Sequence, residues 1–174
     1  MGMDEDTGFA GLDEQQCFAV YAASHAFAAA YRPLLEPHGL TYPQFLVLLV
    51  LWEEDRRSMR ALSKRLHLDS GTLTPLLKRM EAAGLVRRRR SEDDERHLLV
   101  DLTDRGHELR PLAGRVREAM ICALGGEVEP VLKLRERLVT VTERLRGAPH
   151  LRSFDWAEGP EPAGMRRATP VSKP

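Results

Sequence analysis

Residues 58–103 constrain the fold more than any other part of the chain. They read SMRALSKRLHLDSGTLTPLLKRMEAAG, then LVRRRR, the charged SEDDE and RHLLVDLT. Met59, Leu62 and Leu66 recur at helical spacing and line one face of a short helix over 58–68. A tight turn at 68–70 leads to a second helix, SGTLTPLLKRMEAAG, which Gly84 can close as a C-terminal cap. Pro75 lies just past its first turn, where a missing N–H is less damaging than in mid-helix. The runs 85–90 and 96–103 then read as strands joined by an acidic tip, a β-hairpin. Two short helices, a tight turn and a hairpin flanked by arginines describe a winged helix-turn-helix. The second helix of such a pair enters the major groove of DNA through its N-terminal residues.

The charge distribution points the same way. The formal net charge is zero, but residues 1–55 carry nine acids against one base, Arg32. Residues 56–90 carry eleven bases against two acids, Asp69 and Glu81. A local excess of this kind suits a polyanion, because released counterions drive the association. A solvated charged face is the other reading of the same count.

The flanks are helical. Residues 12–36 are expected to form one helix, with Asp13 and Gln16 spaced as a capping box. Cys17, Tyr21, Ser24, Ala28, Tyr31 and Leu35 fall on one stripe, and Pro37, His38 and Gly39 end it. A further helix should open near Pro43 and run through FLVLLVLW to about Glu54. A long helix is expected from Thr103 to about Leu124, open to interruption at Pro111 and Gly114, and a last amphipathic one from Glu127 to Leu145. Residues 1–11 are expected to be a flexible N-terminus, and 147–174, with five prolines, a disordered tail.

With 174 residues, 43% hydrophobic and 30% charged, the chain is ordinary globular material for one domain. The longest strong apolar run, FLVLLVLW, is far short of the roughly 20 residues that a membrane span requires. The acidic N-terminus lacks a secretory pattern, so the expected address is the cytoplasm, with no membrane partner. Two cysteines 105 residues apart, outside any ligand-spaced cluster, give no metal site and no reason to expect a cofactor.

The residues placed to meet DNA are Ser70, Gly71, Thr72 and Thr74, small and hydroxylated at the start of the second helix. Lys78 and Arg79, one turn on, suit phosphate contacts. Arg96 beside the hairpin tip is a candidate for minor-groove insertion, with Asp94 near enough to orient its guanidinium. Ser70 and Thr72 also fit plain helix capping. Of Arg87 to Arg90, a strand can turn only half toward one face.

From residue 12 to 146 the order of elements, with DDERHLLVDLTDRG at the hairpin, resembles a MarR-type transcriptional regulator. CFAVYAAS, YRPLL, GLTYPQFLVLLVLWE and LDSGTLTPLLKRMEAAGLV are similar, more narrowly, to the organic-hydroperoxide-sensing repressors of the OhrR type. The resemblance implies a mainly α fold with a small β-hairpin, a DNA-binding lobe over about 43–102, and dimerisation through helices at about 12–36 and 103–146. It implies a homodimer that holds double-stranded operator DNA when reduced and releases it when an organic hydroperoxide oxidises a cysteine in the first helix. Cys17 falls on that sensing position. Tyr21, Tyr31 and Tyr42, the only three tyrosines, fall on those around the thiol. Cys122 stands where two-cysteine members carry a resolving thiol. His67 departs from the pattern, which has tyrosine before LDSG more often.

The chemistry is consistent with that role. Thiolate, not thiol, attacks a peroxide, and the start of a helix favours an anion. Tyr21 lies one turn from Cys17, whereas Tyr31 is fourteen residues on, about 21 Å along a straight helix. Contact of Tyr31 with this thiol therefore requires a second subunit. A sulfenic acid on Cys17 could condense with Cys122 to a disulfide. Core packing remains the other reading for both cysteines and for the tyrosines. Two further functions stand beside the redox repressor: a MarR-type repressor that responds reversibly to a small aromatic ligand, and a thiol peroxidase. The latter lacks the arginine- or threonine-supported site that such catalysis uses.

Overall fold

The computed structural model describes residues 11–90 and 98–148, and the chain divides into two compact units, 1–126 and 127–174. In the first unit, after a 3-10 turn at Leu12–Glu14, come α1 (Gln16–Leu35), α2 (Tyr42–Glu53), β1 (Arg57–Ser58) and α3 (Met59–Leu66). Then follow α4 (Ser70–Ala82), β2 (Val86–Arg90), β3 (Leu98–Leu102), α5 (Asp104–Glu108) and α6 (Leu112–Ala123). In the second unit, α7 (Val128–Arg146) is the helix of the described residues. No single helix among them is long and apolar enough to cross a membrane.

The core gathers around α2. Phe45, Val47, Leu48, Val50, Leu51 and Trp52 are all buried, so this helix is covered on nearly every side, as its continuous apolar run requires. Its start is fixed by Gln44, whose Oε1 accepts the backbone N–H of Thr41 at 2.8 Å and the Thr41 hydroxyl at 3.1 Å. Leu62 of α3 and Leu73, Leu76, Leu77 and Met80 of α4 pack into the same cluster. Each such side chain contributes about 1.5–3 kcal/mol by leaving water. Gly84 takes the left-handed conformation, φ 67°, that ends α4 and turns the chain into the wing.

Three expectations are corrected. Asp13 lies in the 3-10 turn, and α1 begins at Gln16 behind Gln15 without a side-chain cap, so the Asp13–Gln16 capping box does not form. The helix expected from Thr103 is two: α5 ends at Glu108, and α6 starts directly after Pro111. Proline accounts for the break, since it cannot extend α5, whereas Gly114 sits inside α6 without interrupting it. The wing is a sheet of three strands, not a hairpin alone. Its order is β1-β3-β2, all antiparallel, with Arg57 opposite Val100 and Arg88 opposite Val100 on the other side.

Two polar links fasten the wing and α5 to the body. Trp52 Nε1 donates to the carbonyl of Gly106 at 2.9 Å, and Asp55 Oδ1 accepts the N–H of Leu102 at 2.9 Å. Thr103 caps α5 by accepting the N–H of Gly106 at 3.1 Å, while its hydroxyl donates to the carbonyl of Gly84 at 2.6 Å. The flexible N-terminus, the acidic hairpin tip and the proline-rich tail expected above lie outside the described residues, save at their inner edges.

Candidate nucleic-acid interface and thiol site

The turn between α3 and α4 is held by its own atoms. His67, exposed, caps α3 in the left-handed region at φ 57°, a conformation unusual for a residue with a Cβ. The backbone N–H of Leu68 returns to the carbonyl of Ser63 at 3.1 Å, and the Ser63 hydroxyl donates to the carbonyl of Leu68 at 2.6 Å. Asp69 then caps α4: its carboxylate accepts the backbone N–H of Thr72 at 2.8 Å and the Thr72 hydroxyl at 3.1 Å. Those two bonds hold the Asp69 carboxyl below its usual range. The cap is Asp69, which leaves Ser70 and Thr72 free of that role. Ser70, Gly71, Thr72, Lys78 and Arg79 are exposed, and Thr74 is half-buried.

The basic surface is narrower than the charge count implied. Of the eleven bases in 56–90, five are engaged by acids: Arg56 and Arg89 by Asp101, Arg57 by Glu54, Arg65 by Glu53 and Arg88 by Glu81. The other six, Arg60, Lys64, Lys78, Arg79, Arg87 and Arg90, are all exposed. Of Arg87–Arg90, Arg87 and Arg90 are exposed, and the partition does not follow the strand alternation on which the expectation rested. Adjacent Arg88 and Arg89 are the engaged pair, one reaching back to α4 and one across to β3. Arg60 and Lys64, not singled out from the sequence, join this exposed basic set; they stand at i, i+4 on the side of α3 away from Met59, Leu62 and Leu66. Asp94 and Arg96 lie outside the described residues.

The Arg88 link gives the wing a pH dependence. Glu81 accepts from the Arg88 side chain at 2.6 and 2.9 Å and from its backbone N–H at 2.9 Å, which keeps the carboxyl below its ordinary value. A depressed folded pKa contributes stability that is present above the unfolded value, about 4.3, and is lost as pH falls through the folded one. Glu81→Gln should therefore lower the melting temperature at pH 7 and be indistinguishable from the unsubstituted chain at pH 2–3. The gap corresponds to no more than about 1 kcal/mol, since both side chains touch solvent. Thermal melts of both proteins across that range measure it; a gap that persists at low pH would contradict the assignment.

Both thiols are free and exposed. Cys17 is the second residue of α1, closer to the helix start than the sequence suggested, in a first turn with no side-chain cap. Its backbone N–H is one of the four that a helix cannot satisfy internally, and the positive end of the helix dipole lies there. Cys122 is the last residue but one of α6, and α6 packs on α1. The tyrosines fall into two groups. Tyr21 is 59% exposed beside His25, ring centroids 4.3 Å apart, one turn from Cys17. Tyr31 meets Tyr42 at 4.4 Å and Phe45 at 6.1 Å, at the other end of α1. Burial raises the pKa of both phenols, and for Tyr31 the nearby Tyr42 adds to it, so each keeps its proton as a hydrogen-bond donor.

A helix-turn-helix carried on a buried α2, followed by a three-stranded wing, is the fold of a winged-helix DNA-binding transcriptional regulator. The family described as transcriptional regulator SarA/Rot matches residues 29–110. The chain is 51% identical over 142 residues to the HTH-type transcriptional regulator TtmR of Methylorubrum extorquens, covering 82% of this chain and 71% of that protein. It is 42% identical over 134 residues to the organic hydroperoxide resistance transcriptional regulator of Bacillus subtilis, covering 77% and 91%. Among solved structures it is similar to AbfR of Staphylococcus epidermidis. The reduced, DNA-bound form is 37% identical with a TM-score of 0.65, over 77% of this chain and 94% of that one. The disulfide form is 39% identical with a TM-score of 0.55, over 74% and 92%. The chain belongs to the SarA/Rot and MarR family of winged-helix transcriptional regulators.

Proposed function

We infer that the protein is a cytoplasmic redox-responsive repressor whose reduced homodimer binds operator DNA and whose oxidation by an organic hydroperoxide releases it. The carrying observation is the pair of free, exposed thiols, one of them in the uncapped first turn of α1. It is supported by the similarity to a regulator named for organic hydroperoxide resistance and to one solved both on DNA and as a disulfide. The exposed apolar side chains also favour a second copy. Val20 and Tyr21 on α1, and Leu132, Leu138 and Val141 on α7, are each more than 40% exposed in the single chain.

The chemistry is a two-electron exchange. The Cys17 thiolate attacks the outer peroxide oxygen and the O–O bond breaks; sulfur becomes a sulfenic acid and the alkoxide leaves as an alcohol after taking a proton. Cys122, from the partner subunit, then attacks the sulfenic sulfur and expels water, forming a disulfide. Tyr31 and Tyr42 sit together at the far end of α1 from their own Cys17, so the thiol they serve is the partner's, with the two α1 helices crossing antiparallel. Their phenols donate to the thiolate there. Joining the sulfurs requires Cα atoms within about 7 Å. The movement of α1 and α6 that achieves this changes the separation of the two α4 helices, and half-sites on DNA tolerate only spacings near one helical turn or its multiples.

On this reading, one equivalent of an alkyl hydroperoxide converts the protein to a covalent dimer on a non-reducing gel, reversed by dithiothreitol and absent in Cys122→Ser. A monomeric product with Cys122 still free to alkylation would remove the intersubunit disulfide.

A further inference from the structure

The first turn of α4 carries an asymmetry that capping alone does not require. Asp69 turns both carboxylate oxygens to one residue, Oδ1 to the backbone N–H of Thr72 and Oδ2 to its hydroxyl. A hydroxyl has one proton and two lone pairs, and an ionised carboxylate can only accept. The proton on Thr72 Oγ1 is therefore committed to Asp69, and only lone pairs remain to face outward from this exposed residue.

We propose that Asp69 is a specificity-determining positioning residue: it makes Thr72 an obligate acceptor, so that this position selects a base bearing an exocyclic amine. In the major groove those donors are adenine N6 and cytosine N4, whereas guanine O6 and thymine O4 are acceptors and leave Thr72 without a partner. Phosphate oxygens are disfavoured for the same reason, since they too need a donor. Gly71 keeps the arrangement open: a Cβ there would stand 3.0 Å from Asp69 Oδ1 and press on the carboxylate. Because threonine is β-branched and stiff at χ1, fixing its oxygen also fixes its methyl group. The inference rests on the DNA-binding function, with α4 as the reading helix.

The test uses the reduced full-length chain and a library of randomised duplexes, followed by competition with duplexes that differ at single base pairs. Asp69→Asn is the informative variant. Asparagine caps helices about as well as aspartate, and its Oδ1 can keep the Thr72 N–H. Its amide nitrogen donates where Oδ2 accepted, so the Thr72 hydroxyl must accept that bond and release its proton toward the DNA. The unsubstituted chain should prefer adenine or cytosine at one position per half-site. Asp69→Asn should turn that preference toward guanine or thymine, a change of about tenfold. Thr72→Val should erase preference there and nowhere else, with circular-dichroism melts showing that both variants stay folded. Uniform weakening by Asp69→Asn on all sequences, or unchanged preferences, overturns the inference while the DNA-binding function stands. A reduced chain that binds no duplex overturns that function and the inference together.

Discussion

Cys17→Ser should bind operator DNA as the unsubstituted chain does and should no longer be released by peroxide. The residue is exposed in the single chain, so its replacement by an isostere should change stability by no more than about 0.5 kcal/mol. Function should change completely, because a serine hydroxyl at this site has no accessible anion with which to open an O–O bond. Fluorescence anisotropy on the protein's own upstream DNA reads both quantities. The unsubstituted chain should lose binding after one equivalent of cumene hydroperoxide and regain it with dithiothreitol, while Cys17→Ser stays bound throughout. Release of the serine variant by the same dose would move the sensor elsewhere. Release of the unsubstituted chain by a small aromatic acid, with both thiols still free, would favour a ligand-responsive regulator.

The largest structural effect is expected at Gly106. A Cβ built there would lie 2.3 Å from the backbone carbonyl oxygen of Leu85 and 3.0 Å from the Leu102 side chain. The first contact is with backbone, which cannot rotate aside, and that same oxygen accepts the N–H of Thr103 at 3.2 Å. Nor can α5 withdraw, because the Gly106 carbonyl is held by Trp52 Nε1 from the core. Relief of the clash thus breaks either the Thr103 bond or the Trp52 bond, and both are at least partly buried. Gly106→Ala should destabilise the protein by about 3 kcal/mol or more, combining overpacking with a lost buried hydrogen bond. Urea titration would show a midpoint shift at unchanged slope. A substitution that leaves the midpoint in place would mean that α5 and the Leu85 backbone are less firmly apposed than their bonding indicates.

Much of this was legible beforehand, for identifiable reasons. The recognition helix could be read because Leu73, Leu76, Leu77 and Met80 follow the helical period and Gly84 supplies the left-handed stop. Strand β1 could not, since Arg57 and Ser58 are two residues with no strand pattern, made a strand only by pairing with β3. The charge count overstated the free basic surface, since five of the eleven bases in 56–90 are engaged by acids. Arg88 and Arg89 look like DNA-facing residues in the run RRRR, yet their acids, Glu81 and Asp101, come from seven and twelve residues away once the elements pack. Helical spacing puts Tyr21 one turn from Cys17 on α1, where its ring meets His25. The pairing of Tyr31 with Tyr42 was not legible, because it arises where α2 folds back on the end of α1. The Asp69 cap was hidden behind Ser70, the more familiar-looking candidate one position on.

The separation of thiol and phenols along α1 has a quantitative consequence. On the reading proposed above, neither chain carries a complete sensor: one end of α1 offers the sulfur and the other offers the donors that stabilise its anion. Reactivity toward peroxide then depends on mass action as well as chemistry. Diluted below its dissociation constant, the protein would lose its enhanced sensitivity together with its grip on DNA. Freshly made, unpaired chains would be spared oxidation, so that the peroxide threshold of the switch rests with the dimers able to occupy an operator.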